Sequence, residues 1–273
     1  TYSIIGGVPF YLSKIDDGAS VLDNIKQQIL EKGEILYEEI DFLLKEELRE
    51  PSTYKSLLES IAQGCTKTME ISQKTRIDAK DLDKYLKVLM NLDYIKRLNP
   101  ITEKPKSKKT HYKIKDNFFK FWFNFCFPKI SELEIGETEK VLGFIKQNIN
   151  SFIGISFEDV CKEFIKQNKF FIFTKLGSWW GHYREREERK ELEIDICALN
   201  EKTKEILFAE CKWQDKVNAE EILAGLKAKA QYVDWNKRKR REYFAVFAKS
   251  FKKKFISKGF YCFDLRDLER RLK

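Results

Sequence analysis

Two neighbouring segments in the C-terminal half place charged side chains inside apolar runs. Asp195 lies in Leu-Glu-Ile-Asp-Ile, and Glu210 and Lys212 lie in Leu-Phe-Ala-Glu-Cys-Lys-Trp. Successive side chains of a strand point to opposite faces, so Glu210 and Lys212 are expected on one face and Cys211 on the other. A turn over residues 200–204 would let cross-strand pairing bring Asp195 beside Glu210.

Two carboxylates at that distance repel each other unless a cation lies between them, and oxygen ligands suit Mg²⁺ or Mn²⁺. Lys212 would then orient or activate the attacking water, or offset charge on a phosphate. The pattern therefore indicates phosphodiester hydrolysis. The alternative is an ordinary strand pair with alternating charges on a solvated face. A Glu-x-Lys triplet alone is too common to decide, but the flanking residues are typical of interior sheet.

The elements that must position these residues follow an α/β pattern from about residue 137. The spacing predicts helices at 138–149 and 156–168, a strand at 170–175, a hairpin of 192–199 and 205–212, a helix at 219–235, a strand at 243–248, a basic helix at 251–258, a strand at 260–263 and a final helix. Before the Asp195 strand, a loop is predicted to contain substrate-contacting or lid residues, namely Trp179, Trp180, His182, Tyr183 and Arg184.

The N-terminal half is predicted to be mainly helical. Residues 1–50 keep helical spacing after an opening turn, and residues 52–115 give three short helices followed by strands at 94–98 and 110–114. This order is typical of a winged helix-turn-helix, with a Lys-rich wing that contains Lys104, Lys106, Lys108 and Lys109. The aromatic cluster at 118–127 indicates packing between neighbouring domains, because it is too dense to leave in water; base stacking is the alternative.

Composition favours an anionic partner, with nucleic acid first. The net charge is +9 and the pI is near 9.0, although a basic surface with no partner would look the same. The six cysteines form no Cys-x-x-Cys pair and are interpreted as core residues in a reducing cytoplasm. Two histidines exclude a His-rich metal site. Neither a membrane span nor a signal peptide is visible, and a first residue other than Met is typical of a fragment or processed product.

An Asp, a hairpin turn, a Glu-x-Lys and then a long helix resemble the PD-(D/E)xK nuclease superfamily, which includes restriction enzymes and Holliday-junction resolvases. The resemblance implies a Mg²⁺- or Mn²⁺-dependent endodeoxyribonuclease with Asp195, Glu210 and Lys212 as catalytic residues. Many members add a glutamate on the first helix, and Glu158 fits that place, because it lies at the edge of the apolar stripe of that helix. Glu158, Asp195 and Glu210 would then bind the metal. No proline precedes Asp195, which makes the match less specific.

A second resemblance covers the rest of the chain. Gly6-Gly7-Val8-Pro9-Phe10-Tyr11-Leu12 is similar to the end of an archaeal AAA+-type ATPase domain. The winged helix, the Asp116-Asn117-Phe118 stretch and the nuclease-like domain follow in that family's order. The resemblance implies an upstream ATP-binding domain. This chain has no Gly-x-x-x-x-Gly-Lys-Ser/Thr loop, so ATP is not expected to bind to it.

The predicted fold class is mixed: an all-α N-terminal segment with a winged helix-turn-helix, then an α/β restriction-endonuclease-like domain with a central mixed sheet. The predicted domains are 1–50, 51–128 and 129–273. The predicted function is a DNA-binding, metal-dependent nuclease-like module of a cytoplasmic ATPase. The alternative is a non-catalytic nucleic-acid or protein interaction module that regulates the ATPase. Weaker candidates for DNA contact are Lys104, Lys106, Lys108, Lys109, Arg184, Gln231, Lys237 and Arg238.

Overall fold

The structure, a computed structural model, describes residues 1–104, 107, 109–185, 188–255 and 257–272. The chain forms two compact units. The first unit contains Thr1–Leu98 and Thr110–Phe152, and the second contains Asn99–Lys109 and Ile153–Lys273. Among the described residues, no helix is both long enough and apolar enough to cross a bilayer.

The first unit is built from helices and one two-stranded ribbon. Its elements are α1 (Tyr2–Ile5), α2 (Pro9–Leu12), α3 (Val21–Asn24), a π-helical turn (Ile25–Leu30), α4 (Ile35–Glu47), α5 (Pro51–Ala62), α6 (Thr68–Thr75), α7 (Ala79–Asn91), β1 (Ile95–Leu98), β2 (His111–Ile114), α8 (Asn117–Phe125), a 3₁₀ turn (Phe127–Lys129), α9 (Ile130–Glu134) and the start of α10 (Thr138–Asn168). The predicted order of three helices and two antiparallel strands is present in α5 to β2.

The aromatic cluster forms α8, whose residues lie inside the core of the first unit. Asp116 caps the helix by accepting a hydrogen bond from the Phe119 backbone N–H at 2.9 Å. The Phe118 ring lies 5.0 Å from that of Tyr11, and the Phe119 ring stacks 4.4 Å from that of Tyr94. The cluster therefore packs, as predicted, and its buried rings are not available to stack on bases. It joins residues 1–50 and 51–128 in one core.

The second unit is a mixed sheet between helices. It contains the end of α10, β3 (Lys175–Glu185), β4 (Glu188–Asn200), β5 (Glu205–Lys212), β6 (Val217–Asn218), α11 (Ala219–Ala230), β7 (Arg241–Ala248), β8 (Phe251–Lys253), β9 (Phe260–Phe263) and α12 (Leu265–Arg271). The strand order is β3-β4-β5-β7-β9. Neighbours in β3-β4-β5 are antiparallel, and those in β5-β7-β9 are parallel. The central mixed sheet was predicted correctly.

Each face of this sheet carries its own apolar layer. On one face, Phe164 and other residues of α10 pack against Ala209 of β5. On the other face, Leu226 and other residues of α11 pack against Phe208 of β5. Because strand side chains alternate, this arrangement directs Glu210 and Lys212 toward the α11 face and Cys211 toward the α10 face.

Several sequence predictions for this half were wrong in their boundaries or type. The two helices predicted at 138–149 and 156–168 are one helix, α10, because a single glycine, Gly154, does not end it and gives Trp213 room to pack there. The strand predicted at 170–175 begins only at Lys175, since Phe170 and Phe171 are apolar loop residues packed on the α10 face.

Two further corrections concern segments that pair as strands. The loop predicted around Trp179 to Arg184 is β3, which pairs along its length with β4. The basic helix predicted at 251–258 is instead the short strand β8, because β6 pairs with it in parallel. In addition, α11 ends at Ala230 rather than near residue 235.

The buried side chain of Arg240 caps the C-terminal end of α11. Its side chain is only 1% exposed and forms an ion pair with Glu242 at 2.7 Å. Its guanidinium also donates to the backbone carbonyls of Ala230, at 2.8 Å, and Trp235, at 3.0 Å. Carbonyls at a helix end lack partners within the helix. Arg240, although it lies in the basic run Lys237–Arg241, is therefore a structural residue.

We expect the Arg240→Met variant to unfold with a free energy about 3 kcal/mol lower than the parent chain, because the half-buried Glu242 and several backbone carbonyls lose the charged group that they bind. Urea unfolding followed by circular dichroism measures the difference. Lys239→Met, at the exposed neighbouring position, is the matched control and should change stability by less than about 0.5 kcal/mol. Equal effects of the two substitutions would contradict the structural role of Arg240.

Candidate functional site

Asp195 lies in a β-bulge at the point where β4 parts from β5. In the pairing of β3 with β4, Gly177 is opposite Cys197 and Trp179 is opposite Ile194, so Asp195 and Ile196 face Ser178 alone. The pairing of β4 with β5 begins at Ile196. The Ser178 hydroxyl donates a hydrogen bond to the Asp195 carbonyl at 2.8 Å. Bulges bend a strand and redirect side chains, and they are frequent beside active sites.

The Asp195 carboxylate is held against β5 and is partly desolvated. One of its oxygens, Oδ2, accepts a hydrogen bond from the Cys211 backbone N–H at 2.8 Å. Burial and the neighbouring negative charge of Glu210 raise the pKa of Asp195 from 3.8 to about 6, although that hydrogen bond and the charges of Lys212 and Lys229 act in the opposite direction. Glu210 is thus close enough to influence the ionisation of Asp195.

Glu210 is the buried centre of the cluster, since only 3% of it is exposed. Its Oε2 accepts a hydrogen bond from Lys212 Nζ at 2.9 Å, and its Oε1 accepts one from Lys229 Nζ at 2.7 Å. Burial lowers the pKa of Lys212, but the ion pair and hydrogen bond with Glu210 and the neighbouring Asp195 and Cys211 together outweigh it, so the net shift is upward. Both oxygens of one buried carboxylate therefore hold ammonium groups.

Lys229 is the member of this cluster that sequence reasoning missed. It lies on α11, three residues after the buried Leu226 and seven after Ile222, which packs against the same core. Residues at these spacings share one helix face. A lysine within the buried stripe was therefore a signal in the sequence, whereas Gln231, which the sequence analysis named as a candidate for DNA contact, is exposed.

Glu158 lies on α10, which packs on the opposite face of the sheet. Burial, contact with Cys161, and the negative charges of Asp195 and Glu158 together raise the pKa of the Cys211 thiol. Glu158 and Asp195 thus act electrostatically on the same residue of β5. Across the described residues, no group of three or more His, Cys, Asp or Glu side chains is arranged to hold a metal ion. The three-carboxylate metal site stays a prediction.

The predicted DNA-contact residues occupy several exposed positions. Lys109 pairs with Glu103 at 2.6 Å, and Lys104, Gln231, Lys237 and Arg238 are exposed. Lys106 and Lys108 lie outside the described residues, as does the side chain of Arg184. The segment Asn99–Lys109, in which the sequence predicts the wing, belongs to the second unit. Within it, the Ile101 backbone N–H donates to the Ser178 carbonyl at 2.9 Å, so Ile101 lies beside the bulge that carries Asp195.

Comparison with known proteins places the cluster within a recognised but uncharacterised sequence region. Residues 122–222 match DUF234. This family is described as archaeal and bacterial proteins of unknown function. The match includes Glu158, Asp195, Glu210 and Lys212, and it ends before Lys229.

A longer relative and one solved structure are also similar. An uncharacterized protein of Methanocaldococcus jannaschii is 41% identical over 219 residues, which is 78% of this chain and 47% of the relative. The chain thus spans about half the length of this curated relative. The crystal structure of protein VC1899 from Vibrio cholerae is 12% identical, covers 92% of this chain and 55% of its own, and gives a TM-score of 0.30, which is too low to support an argument about fold.

The raised pKa of Asp195 predicts a pH-dependent gain in stability for Asp195→Asn. In the parent chain, folding favours the protonated acid, so ionisation costs stability as the pH rises from about 4 to about 6, and the full cost remains above that. The variant should therefore be more stable than the parent at pH 7 by roughly 1–3 kcal/mol and equal to it below about pH 4.

Urea unfolding between pH 3.5 and 8, in the presence of a metal chelator, measures this difference. Glu193→Gln, an exposed carboxylate two residues earlier on β4, is the matched control and should show no such pH dependence. A variant of Asp195 that is less stable than the parent at pH 7 would show that the carboxylate is needed by the fold.

Proposed function

We propose that the second unit is a divalent-metal-dependent, nuclease-like module that hydrolyses phosphodiester bonds in DNA. The observation that carries the proposal is the cluster of Asp195, Glu210, Lys212 and Lys229. Two carboxylates from adjacent strands share it with two lysines, next to a bulge. Ordinary sheet surfaces have no need to bury Glu210 or to raise the pKa of Asp195 to about 6, whereas perturbed ionisation is common at functional sites.

The donor set fits a hard divalent cation. Asp195 and Glu210 offer carboxylate oxygens, the ligands that Mg²⁺ and Mn²⁺ prefer, and Glu210 already attracts two cationic groups. Asp195 and Glu210 would hold the ion, with Glu158 as the expected third ligand. When bound, a divalent ion would polarise a phosphate oxygen and make water a stronger nucleophile near neutral pH.

The two lysines have roles of their own in this proposal. Each donates to a Glu210 oxygen, and each is about one-third exposed, so each can also face a substrate. A phosphodiester gains negative charge on its oxygens as it is attacked, and ammonium groups fixed in place offset that charge. Lys212 would orient the attacking water, and Lys229 would neutralise the phosphate.

We also propose that α5, α6, α7, β1 and β2 of the first unit form a winged helix, and that Asn99–Lys109, which lies between the two strands in sequence and belongs to the second unit, contributes to DNA binding as its wing. The order of α5, α6, α7, β1 and β2 supports the assignment. The solvent face of α7 is a poor phosphate contact, because three of its lysines form ion pairs with aspartates, at 2.6 to 3.7 Å; these are Lys80 with Asp78, Lys84 with Asp81 and Lys87 with Asp83. We further propose that the chain works as part of a longer archaeal-type ATPase, an idea carried by the Gly6 to Leu12 resemblance.

One observation favours a second candidate function, a non-catalytic interaction module that regulates the ATPase. Both oxygens of Glu210 accept hydrogen bonds from lysines. Under the second candidate, the role of this neutralised network is to hold β5 and α11 together. Under this candidate the chain binds DNA or a protein in a salt-sensitive manner, and the substitutions Asp195→Ala and Lys212→Ala leave that binding unchanged.

Incubation with labelled linear and branched DNA in Mg²⁺ or Mn²⁺ separates the two functions. The parent chain should cleave, Asp195→Asn should abolish cleavage, and Lys212→Gln should slow it by about 100-fold, because a fixed positive charge is lost. Glu193→Gln is the control and should cleave at the parent rate.

Metal binding provides a second readout that does not require cleavage. Mn²⁺ at 100 times its Kd should stabilise the parent chain by about 2.7 kcal/mol, and it should not stabilise Asp195→Asn. Absence of cleavage, together with equal Mn²⁺ responses in both proteins, would defeat the nuclease proposal and leave the interaction module.

A further inference from the structure

We propose that Tyr183 and Tyr232 form a stacking platform for unpaired bases, so that the substrate of the candidate site is single-stranded or branched DNA rather than an intact duplex. This inference rests on the proposed function and specifies its substrate class.

The two tyrosine rings come from elements far apart in sequence and meet at the protein surface. Their centroids are 5.2 Å apart, and the ring planes are tilted by 47°. Tyr232 is 48% exposed, and Tyr183 is half-buried. Neither ring belongs to the apolar cores of the second unit. Part of the aromatic surface of this pair is therefore exposed to water, where it is available to a base.

The hairpin of β3 and β4 is what carries Tyr183 to this place. Beyond the Asp195 bulge, β4 pairs with β3 but not with β5. Trp179 packs in the core that α11 lines, and its ring lies over Gly181, where an added Cβ would come within 2.7 Å. Tyr183 follows on the same face of β3, since side chains alternate. The free part of the hairpin thus leans toward the end of α11, where Tyr232 lies.

The platform of Tyr183 and Tyr232 lies next to Lys229, which belongs to the candidate site. The Tyr232 backbone N–H donates to the Lys229 carbonyl at 3.0 Å, and the Lys229 side chain reaches Glu210. A nucleotide whose base stacks on Tyr232 would therefore place its phosphate within reach of Lys229. The tyrosine would position the strand, while the carboxylates and lysines would act on the phosphodiester.

The charge around the platform complements a nucleic-acid backbone. Residues 227–239 contain five basic side chains and one acidic side chain, Asp234, and Lys190 lies opposite Tyr183 in the strand register. Aromatic side chains beside cationic ones are typical of single-strand binding, because every unpaired base has a face that can stack. In a duplex those faces are already stacked on one another, so the platform would discriminate against it.

Equilibrium binding of fluorescent oligonucleotides, measured by anisotropy in a metal chelator, tests the inference without cleavage. Tyr232→Leu and Tyr183→Leu should each weaken binding to single-stranded DNA by roughly 10-fold and leave binding to a duplex of equal length unchanged. Tyr232→Phe retains the ring and should bind within about twofold of the parent. Tyr2→Leu, at a similarly exposed tyrosine in the first unit, is the control and should have no effect. Unfolding curves confirm that each variant folds.

The outcomes separate this inference from the proposed function. Equal losses for single-stranded and duplex DNA, or no loss with either leucine variant, would overturn the platform even if the chain cleaves DNA. Tighter binding of single-stranded RNA than of DNA would overturn the assigned substrate. Tyrosine-dependent, single-strand-selective binding that persists in Asp195→Asn supports the platform, whether or not cleavage is observed.

Discussion

A buried carboxylate is the constraint around which the second unit is organised. Glu210 is taken almost completely out of water by the sheet, and an uncompensated charge in that position would be very costly. Lys212 from the same strand and Lys229 from α11 compensate it. The ion pairs consequently fix where α11 lies on β5. Asp195 accepts a hydrogen bond from the Cys211 backbone N–H, but burial and the charge of Glu210 still disfavour its ionised form.

The contrast between Glu210, which is paired with two lysines, and Asp195, whose ionised form is disfavoured, is informative about function. A protein selected only for stability could replace Asp195 with a neutral residue and lose little, because its ionised form is disfavoured where it lies. A cation bound between two carboxylates reduces their repulsion, so the proposed metal ion would gain affinity from the position of Asp195 beside Glu210. The bulge at Asp195 is also a departure from the most regular structure, since it interrupts the pairing of β3 with β4 where the pairing of β4 with β5 ends.

Elements that depend on the local periodicity of apolar residues could be predicted from the sequence. Elements and buried side chains that depend on tertiary contacts could not. The hairpin predicted at 192–199 and 205–212 follows from alternation and is present in β4 and β5, although β4 begins earlier, at Glu188. The sharing of one face by Glu210 and Lys212 also follows from alternation. The helical period contained the signal for Lys229, which the sequence analysis did not use. The β3 strand could not be predicted from its glycine-interrupted aromatic segment, because the partner β4 supplies its regularity. Similarly, Arg240 resembles solvated charge in sequence and becomes buried only when α11 ends beside it.

The hydrogen bond between Ile101 and Ser178 has a consequence for how the protein can be divided experimentally. Residues 99–109 are part of the second unit although the strands on either side of them belong to the first. A fragment that starts at residue 129 would lack this segment and expose the backbone of β3 beside the bulge. The smallest piece that preserves the surroundings of Asp195 is therefore discontinuous along the chain, and isolating it would require joining residues 99–109 to the C-terminal half by a designed linker or by circular permutation.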